Sequence, residues 1–143
     1  MIMNEQLAGA LAAEEAAIYA YGLIGVHLTA DSAIEEARSA EAAHRARRDV
    51  LVSRLDQLHA STAPAPAGYE LPFAVTDPAS ALKLAIHVED GVAQAWRAAL
   101  PVTTDADRST SLSALIDAAV RATRWRRLAG VAPLTMAFPG RAT

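Results

Sequence analysis

Apolar residues recur along this chain in steps of three and four, the period of a helix with one buried face. The first such stripe reads Leu7, Leu11, Ile18, Tyr21, Gly25 and Leu28, and predicts a helix from about Asn4 to Leu28. Thr29-Ala30-Asp31 makes a turn, and Ser32 with Glu35 is spaced as a capping box, with Asp31 as a competing cap. A second helix then runs to about His59 along Ile34, Ala37, Glu41, His44, Arg48, Leu51, Leu55 and Leu58. Four prolines and glycines between residues 61 and 77 interrupt the pattern, a connection long enough to travel the length of a helix bundle. Asp77-Pro78 is a cap followed by a first-turn proline. It opens a third helix whose stripe is Leu82, Ile86, Glu89, Ala93, Trp96 and Leu100. Pro101 to about Ser109 is a short connection. The fourth helix carries Ala114, Ala118, Arg121, Trp125 and Leu128 to a stop at Gly130, and Pro133 and Pro139 keep residues 131–143 non-helical.

Two short-turn hairpins and one long crossover within 143 residues predict an all-α fold: a single domain built as a four-helix bundle with a crossover between its two hairpins. Ala supplies roughly a quarter of the residues and aromatics only 5%, which leaves too little β-forming content for an all-β fold. With no Cys, disulfide scaffolds, zinc ribbons and thiol catalysis are excluded. A formal charge of −3 argues against a nucleic-acid binder. No basic-then-apolar leader is visible and no 18-residue stretch is free of charge, so the expectation is a cytoplasmic protein without a membrane span.

The informative residues are the polar ones on apolar stripes. In an antiparallel hairpin, residues equally far from the turn lie level. Glu14 and His44 are each 15 residues from Thr29, and Glu89 and Arg121 are each 16 from Asp105. Glu14, Glu41, His44, Glu89 and Arg121 are therefore expected to meet in the core, where charges are found only when paired or metal-bound. Glu41-Ala-Ala-His44 has the i, i+3 spacing that lets a carboxylate and an imidazole reach one ion. Two readings follow. In the first, Arg121 and protonated His44 neutralise the three carboxylates as a core ion network, with no cofactor and no catalysis. In the second, Glu14, Glu41, His44 and Glu89 hold one Fe, Mn or Zn ion with weak redox activity. A two-metal site is one ligand set short, because the fourth helix offers Ala118-Ala119-Val120-Arg121 where a second Glu-x-x-His belongs, and Arg cannot ligate a metal.

The halves also match at an offset of 75, Glu14-Glu15 with Ala20-Tyr21 against Glu89-Asp90 with Ala95-Trp96. A third reading makes Arg45, Arg47 and Arg48, with the four Arg between 121 and 127, a polyanion-binding patch; against it stands dipole complementation in the latter halves of helices. His27, His59 and His87 lie off the polar stripe and are read as non-ligands, and Tyr19, Tyr21, Trp96 and Trp125 as packing residues. No Gly-rich phosphate loop or nucleophile elbow is present. Ala-rich outer faces lead to the expectation of a homodimer.

Ala12-Ala13-Glu14, Tyr19-Ala20-Tyr21-Gly22, His44-Arg45-Ala46-Arg47-Arg48-Asp49, Tyr69-Glu70-Leu71-Pro72, Thr76-Asp77, the helix carrying Glu89, Trp125-Arg126 and Ala137-Phe138-Pro139-Gly140 occur in this order. In this the chain resembles the ferritin-like domain proteins of unknown function found mainly in actinobacteria. The resemblance implies the ferritin-like four-helix fold and no particular reaction. Other ferritin-like proteins bind two metals and handle oxygen or iron. This sequence departs from them at Arg121, which implies a degenerate di-iron site.

Overall fold

The computed structural model describes residues 2–142, and all the regular structure among them is helical. Four long helices, α1 (Ile2–His27), α2 (Asp31–Gln57), α3 (Pro78–Ala99) and α4 (Asp105–Ala129), are joined by a three-residue turn, a crossover and a 3₁₀ turn at Leu100–Val102. α1 packs against α2 and α3, and α3 against α1 and α4. α2 and α4 barely touch and are bridged instead by ion pairs, Arg47–Asp117 at 2.7 Å and Arg54–Asp107 at 2.9 Å.

The helix ends show what local chemistry decides. Asp77 accepts a hydrogen bond from the Ser80 backbone N–H while the Ser80 hydroxyl serves the Asp77 backbone, so α3 opens on a complete capping box with Pro78 in its first turn. Gly130 closes α4 in the left-handed conformation at φ 69°. The box expected at Ser32 and Glu35 does not form. α2 begins two residues earlier, with Ala30 in place of Ser32 at the cap and no side-chain hydrogen bond, because the three-residue turn brings Asp31 into the first turn. α4 likewise starts at Asp105, ahead of the expected Ser109, with Asp105 itself at a left-handed φ of 50°.

Two apolar clusters fill the interior. One gathers Leu7, Leu11, Leu51, Leu55, Trp96 and Ala114; the other gathers Tyr21, Ile24, Leu28, Leu84 and Trp125. His44, Glu89 and Arg121 fall between them along their helices, and Glu14 reaches in from the first cluster. By length and mean hydropathy α1 is apolar enough to cross a membrane, contrary to the sequence expectation, because its charges are confined to Glu5, Glu14 and Glu15. That hydropathy is spent here on the protein interior, where eight of its residues are buried.

The crossover lies over α1 and α3 as an extended strap. Tyr69, Leu71, Phe73 and Val75 are half-buried, while Glu70, Pro72, Ala74 and Thr76 are exposed, the period-2 alternation of an extended chain. Tyr69 rests on Tyr19 with ring centroids 5.1 Å apart, and the Lys83 ammonium stands 4.6 Å over the Phe73 ring. The tail after Gly130 folds back onto α3. Gly140, at φ 81°, comes so close that an added Cβ would stand 2.6 Å from the Ala93 carbonyl oxygen, and Arg97 donates to the carbonyls of Phe138 and Pro139 at 3.4 Å.

Candidate functional site

A buried polar cluster occupies the centre of the molecule. Glu14, His44 and Glu89 have no solvent exposure and Arg121 almost none. The short α1–α2 turn brings Glu14 level with His44, and the His44 Nδ1 contacts Glu14 Oε2 directly. On its other side His44 Nε2 reaches Glu89 Oε2 at 2.8 Å. A neutral imidazole has one N–H and one lone pair, so a ring with carboxylate oxygens at both nitrogens carries a proton on each. His44 is therefore an imidazolium between two carboxylates. Burial alone pulls its pKa down, but the hydrogen bonds to Glu14 and Glu89 and their charges outweigh burial and lift it from 6.5 to about 9.

Three aromatic side chains complete the cluster. The Trp96 indole N–H donates to Glu14 Oε1 at 2.7 Å, the Tyr21 hydroxyl donates to Glu89 Oε2 at 2.5 Å, and the Trp125 indole N–H donates to the Tyr21 oxygen at 2.8 Å. Indole nitrogens only donate, so the chain from Trp125 through Tyr21, Glu89, His44 and Glu14 to Trp96 has its proton positions fixed from both ends. The Tyr21 hydroxyl is held well above its usual 10, by burial first and then by the charge of Glu89 and the bond to it. The Tyr21 ring also stacks on His44 with centroids 5.6 Å apart and planes 24° from parallel. Tyr21 and Trp96 stand seven residues after Glu14 and Glu89, and each serves the carboxylate of the other helix. Residue numbers 14 and 96, and 21 and 89, both sum to 110, the signature of one antiparallel register between α1 and α3.

Arg121 completes the charge balance. Its Nη1 donates to Asp117 Oδ2 at 2.7 Å and stands 3.8 Å from Glu89 Oε1. That Glu89 oxygen and the Arg121 Nε make no hydrogen bond among the described residues. Burial works against the guanidinium, but the charge of Glu89 and the bond to Asp117 hold its pKa above the ordinary arginine value. Asp117 also accepts from Arg47; despite partial burial, the two guanidiniums keep its carboxyl below 3.8.

Glu41 does not join this cluster. It is half-exposed and accepts from Arg45 at 2.9 Å, one turn along α2. The inward line of α2 passes through Ala33, Ala37, Ala40 and His44, and Glu41 is one residue, about 100° of rotation, beyond Ala40. Arg48 leaves the expected stripe in the same way and pairs with Asp49. The packing reading of Tyr21, Trp96 and Trp125 was incomplete: all three are buried, and all three also donate hydrogen bonds to the polar cluster. Asp117 and Arg47 had no sequence signal beyond their charge, since their meeting depends on how α2 faces α4.

A metal ion needs several lone pairs converging on one point. Both His44 nitrogens present protons, Glu41 is turned away, and α4 supplies a guanidinium. Among the described residues no three or more His, Asp or Glu side chains are arranged to hold a metal ion. The arginine clusters are mostly engaged as well, Arg45 with Glu41, Arg47 and Arg121 with Asp117, Arg124 with Glu36 and Arg126 with Asp90.

Comparison with known proteins agrees with the architecture. No curated protein matches the chain. Among solved structures, the crystal structure of a conserved hypothetical protein from Mycobacterium tuberculosis is similar to it, with a TM-score of 0.84 and 38% sequence identity. The match covers 89% of this chain and 96% of that one. Residues 6–143 match a family described as a domain of unknown function, DUF4439, and the chain belongs to that family.

Proposed function

We propose that this chain is a ferritin-like four-helix bundle that acts as a non-catalytic structural or interaction protein. An ion network stands in its core where related bundles carry metal ligands. The observation that carries the reading is the engagement of both His44 nitrogens by carboxylates, which leaves the imidazole no lone pair for a metal. The position of Arg121 supports it further, a fixed positive charge 3.8 Å from Glu89 on the helix where a second Glu-x-x-His would be required. The network sets helix register. Sliding α1 along α2 by one turn, 5.4 Å, strands a buried carboxylate and a buried imidazolium, each costing several kcal/mol. A polyanion-binding role draws little support, since the arginines that would form the patch are mostly neutralised within the chain.

The test is elemental analysis of protein purified without chelator and re-equilibrated with Fe(II), Mn(II) or Zn(II). The expected result is far below one equivalent per chain, together with a loss of about 3–5 kcal/mol of stability in Arg121→Ala. Close to one equivalent in the wild type, abolished in His44→Ala, overturns the network reading in favour of a mononuclear metal protein.

A further inference from the structure

The outer face of α4 carries three large apolar side chains at successive turns. Leu112, Ile116 and Val120 are 47%, 54% and 45% exposed on a helix whose opposite side is packed on α3. A helix needs no such residues facing water, and a line of them is the usual mark of an interaction surface. Beyond them the stripe continues to Asp105 at one end and Arg127 at the other, both exposed. The ion pairs of α4 use Asp107, Asp117, Arg121, Arg124 and Arg126, and leave Asp105 and Arg127 outside them.

The spacing of these five residues is palindromic. Asp105, Leu112, Ile116, Val120 and Arg127 are separated by 7, 4, 4 and 7 positions, so the stripe reads the same from both ends except that its terminal charges are opposite. At about 100° per residue Leu112, Ile116, Val120 and Arg127 lie within about 40° of the direction of Ile116, and Asp105, which opens the helix with a left-handed φ of 50°, stands level with the far end of the stripe. A two-fold axis passing beside Ile116 places a second α4 antiparallel to the first. Leu112 of each copy then faces Val120 of the other, Ile116 meets itself, and Asp105 of each copy meets Arg127 of the other. Ser109 and Thr123, each seven residues from Ile116, come level as a hydroxyl pair. Arg108 and Arg124, which the same register brings level, lie about 80° to opposite sides of the seam and are kept apart. A surface that is apolar in the middle and oppositely charged at its two ends complements itself, as an isologous interface must.

We propose that the partner this face fits is a second copy of the same chain, docked antiparallel through α4. The assignment deepens the interaction reading given above and rests on it for its biological sense, but the side-chain hydrogen bonds and ion pairs of the buried polar cluster involve none of its five residues. The oligomeric state and the metal content therefore fail or succeed separately.

The full chain, in sedimentation equilibrium at about 100 µM and below, is expected at twice its 15.0 kDa mass. Ile116→Arg brings two guanidiniums together at the axis and raises the dimer Kd at least a hundredfold, with an unchanged helical circular dichroism spectrum. Asp105→Arg and Arg127→Asp each weaken the dimer severalfold, and the two combined restore it to within about threefold of wild type, because the pairs are swapped and not removed. Since the chain has no cysteine, Ile116→Cys gives a disulfide-linked dimer on mild oxidation, while Arg38→Cys on α2 does not. A monomeric wild type at the highest concentration, a dimer indifferent to Ile116→Arg, or a charge swap that fails to restore association overturns the proposal.

Discussion

Consider the buried imidazolium as the solution is made alkaline. His44 has an ordinary pKa of 6.5 in the unfolded chain and about 9 in the fold, so the native state holds its proton more tightly. The stability this contributes is fully present below pH 6.5, declines by about 1.4 kcal/mol per pH unit above it, and is gone once the pH passes 9. Over the 2.5 units the loss is about 3 kcal/mol, a large share of the 5–15 kcal/mol that holds a typical domain. Other perturbed groups of the cluster titrate outside this window: Asp117 is held below the usual carboxylate range, while Tyr21 and Arg121 are held above their ordinary values, which already lie beyond pH 9. Urea unfolding followed at half-unit steps from pH 6 to 9.5 should show the midpoint falling steadily with little change in slope. The His44 ring resonances should stay in their protonated positions through pH 7.5. A stability flat or rising between pH 6.5 and 9, or a neutral His44 ring at pH 7.5, refutes the imidazolium assignment.

Three further outcomes are expected from single substitutions. Tyr21→Phe removes the hydroxyl between Trp125 and Glu89, leaving a buried indole N–H without its acceptor, and should cost about 1–3 kcal/mol in urea unfolding; a neutral effect contradicts the directional chain. Gly140→Ala sets a methyl group 2.6 Å from the Ala93 carbonyl at a left-handed φ, so amide exchange over residues 131–142 should accelerate while the helices keep their protection. His59 stands just past the end of α2 at φ 52°, where glycine is more comfortable, and His59→Gly should raise stability by about 0.5–1 kcal/mol, read as an upward shift of the thermal midpoint.

Four helices and no strand could be read from the hydrophobic steps, because an alanine-rich chain with so few β-branched or aromatic residues offers no competing local structure. The contact of Glu14 with His44 was equally legible, since a three-residue turn leaves almost no freedom in how two antiparallel helices align. Glu41 was not. It lies one residue from Ala40, and a stripe drawn from residue types alone cannot distinguish a helix turned to bury the alanine from one turned to bury the carboxylate. The desolvation cost of a third carboxylate favours the alanine. The tryptophan and tyrosine donors escaped notice because their sequence signature is the same as that of packing residues; only the register of α1 against α3 turns a ring into a hydrogen-bond partner. The tail was invisible for a related reason, since its anchor is the absence of a side chain at Gly140.

The position of the two tryptophans has a practical side. They are the only indoles in the chain, and both are sealed in the interior with their nitrogens spoken for. Ultraviolet-excited emission from this protein is therefore a gauge of its midsection alone. Peeling of the tail or loosening of the strap leaves the spectrum still, whereas opening of the centre admits water to both chromophores and moves the emission to the red. A fluorescence melt and a far-ultraviolet dichroism melt that part company will mark the temperature range in which the periphery has let go and the middle has not.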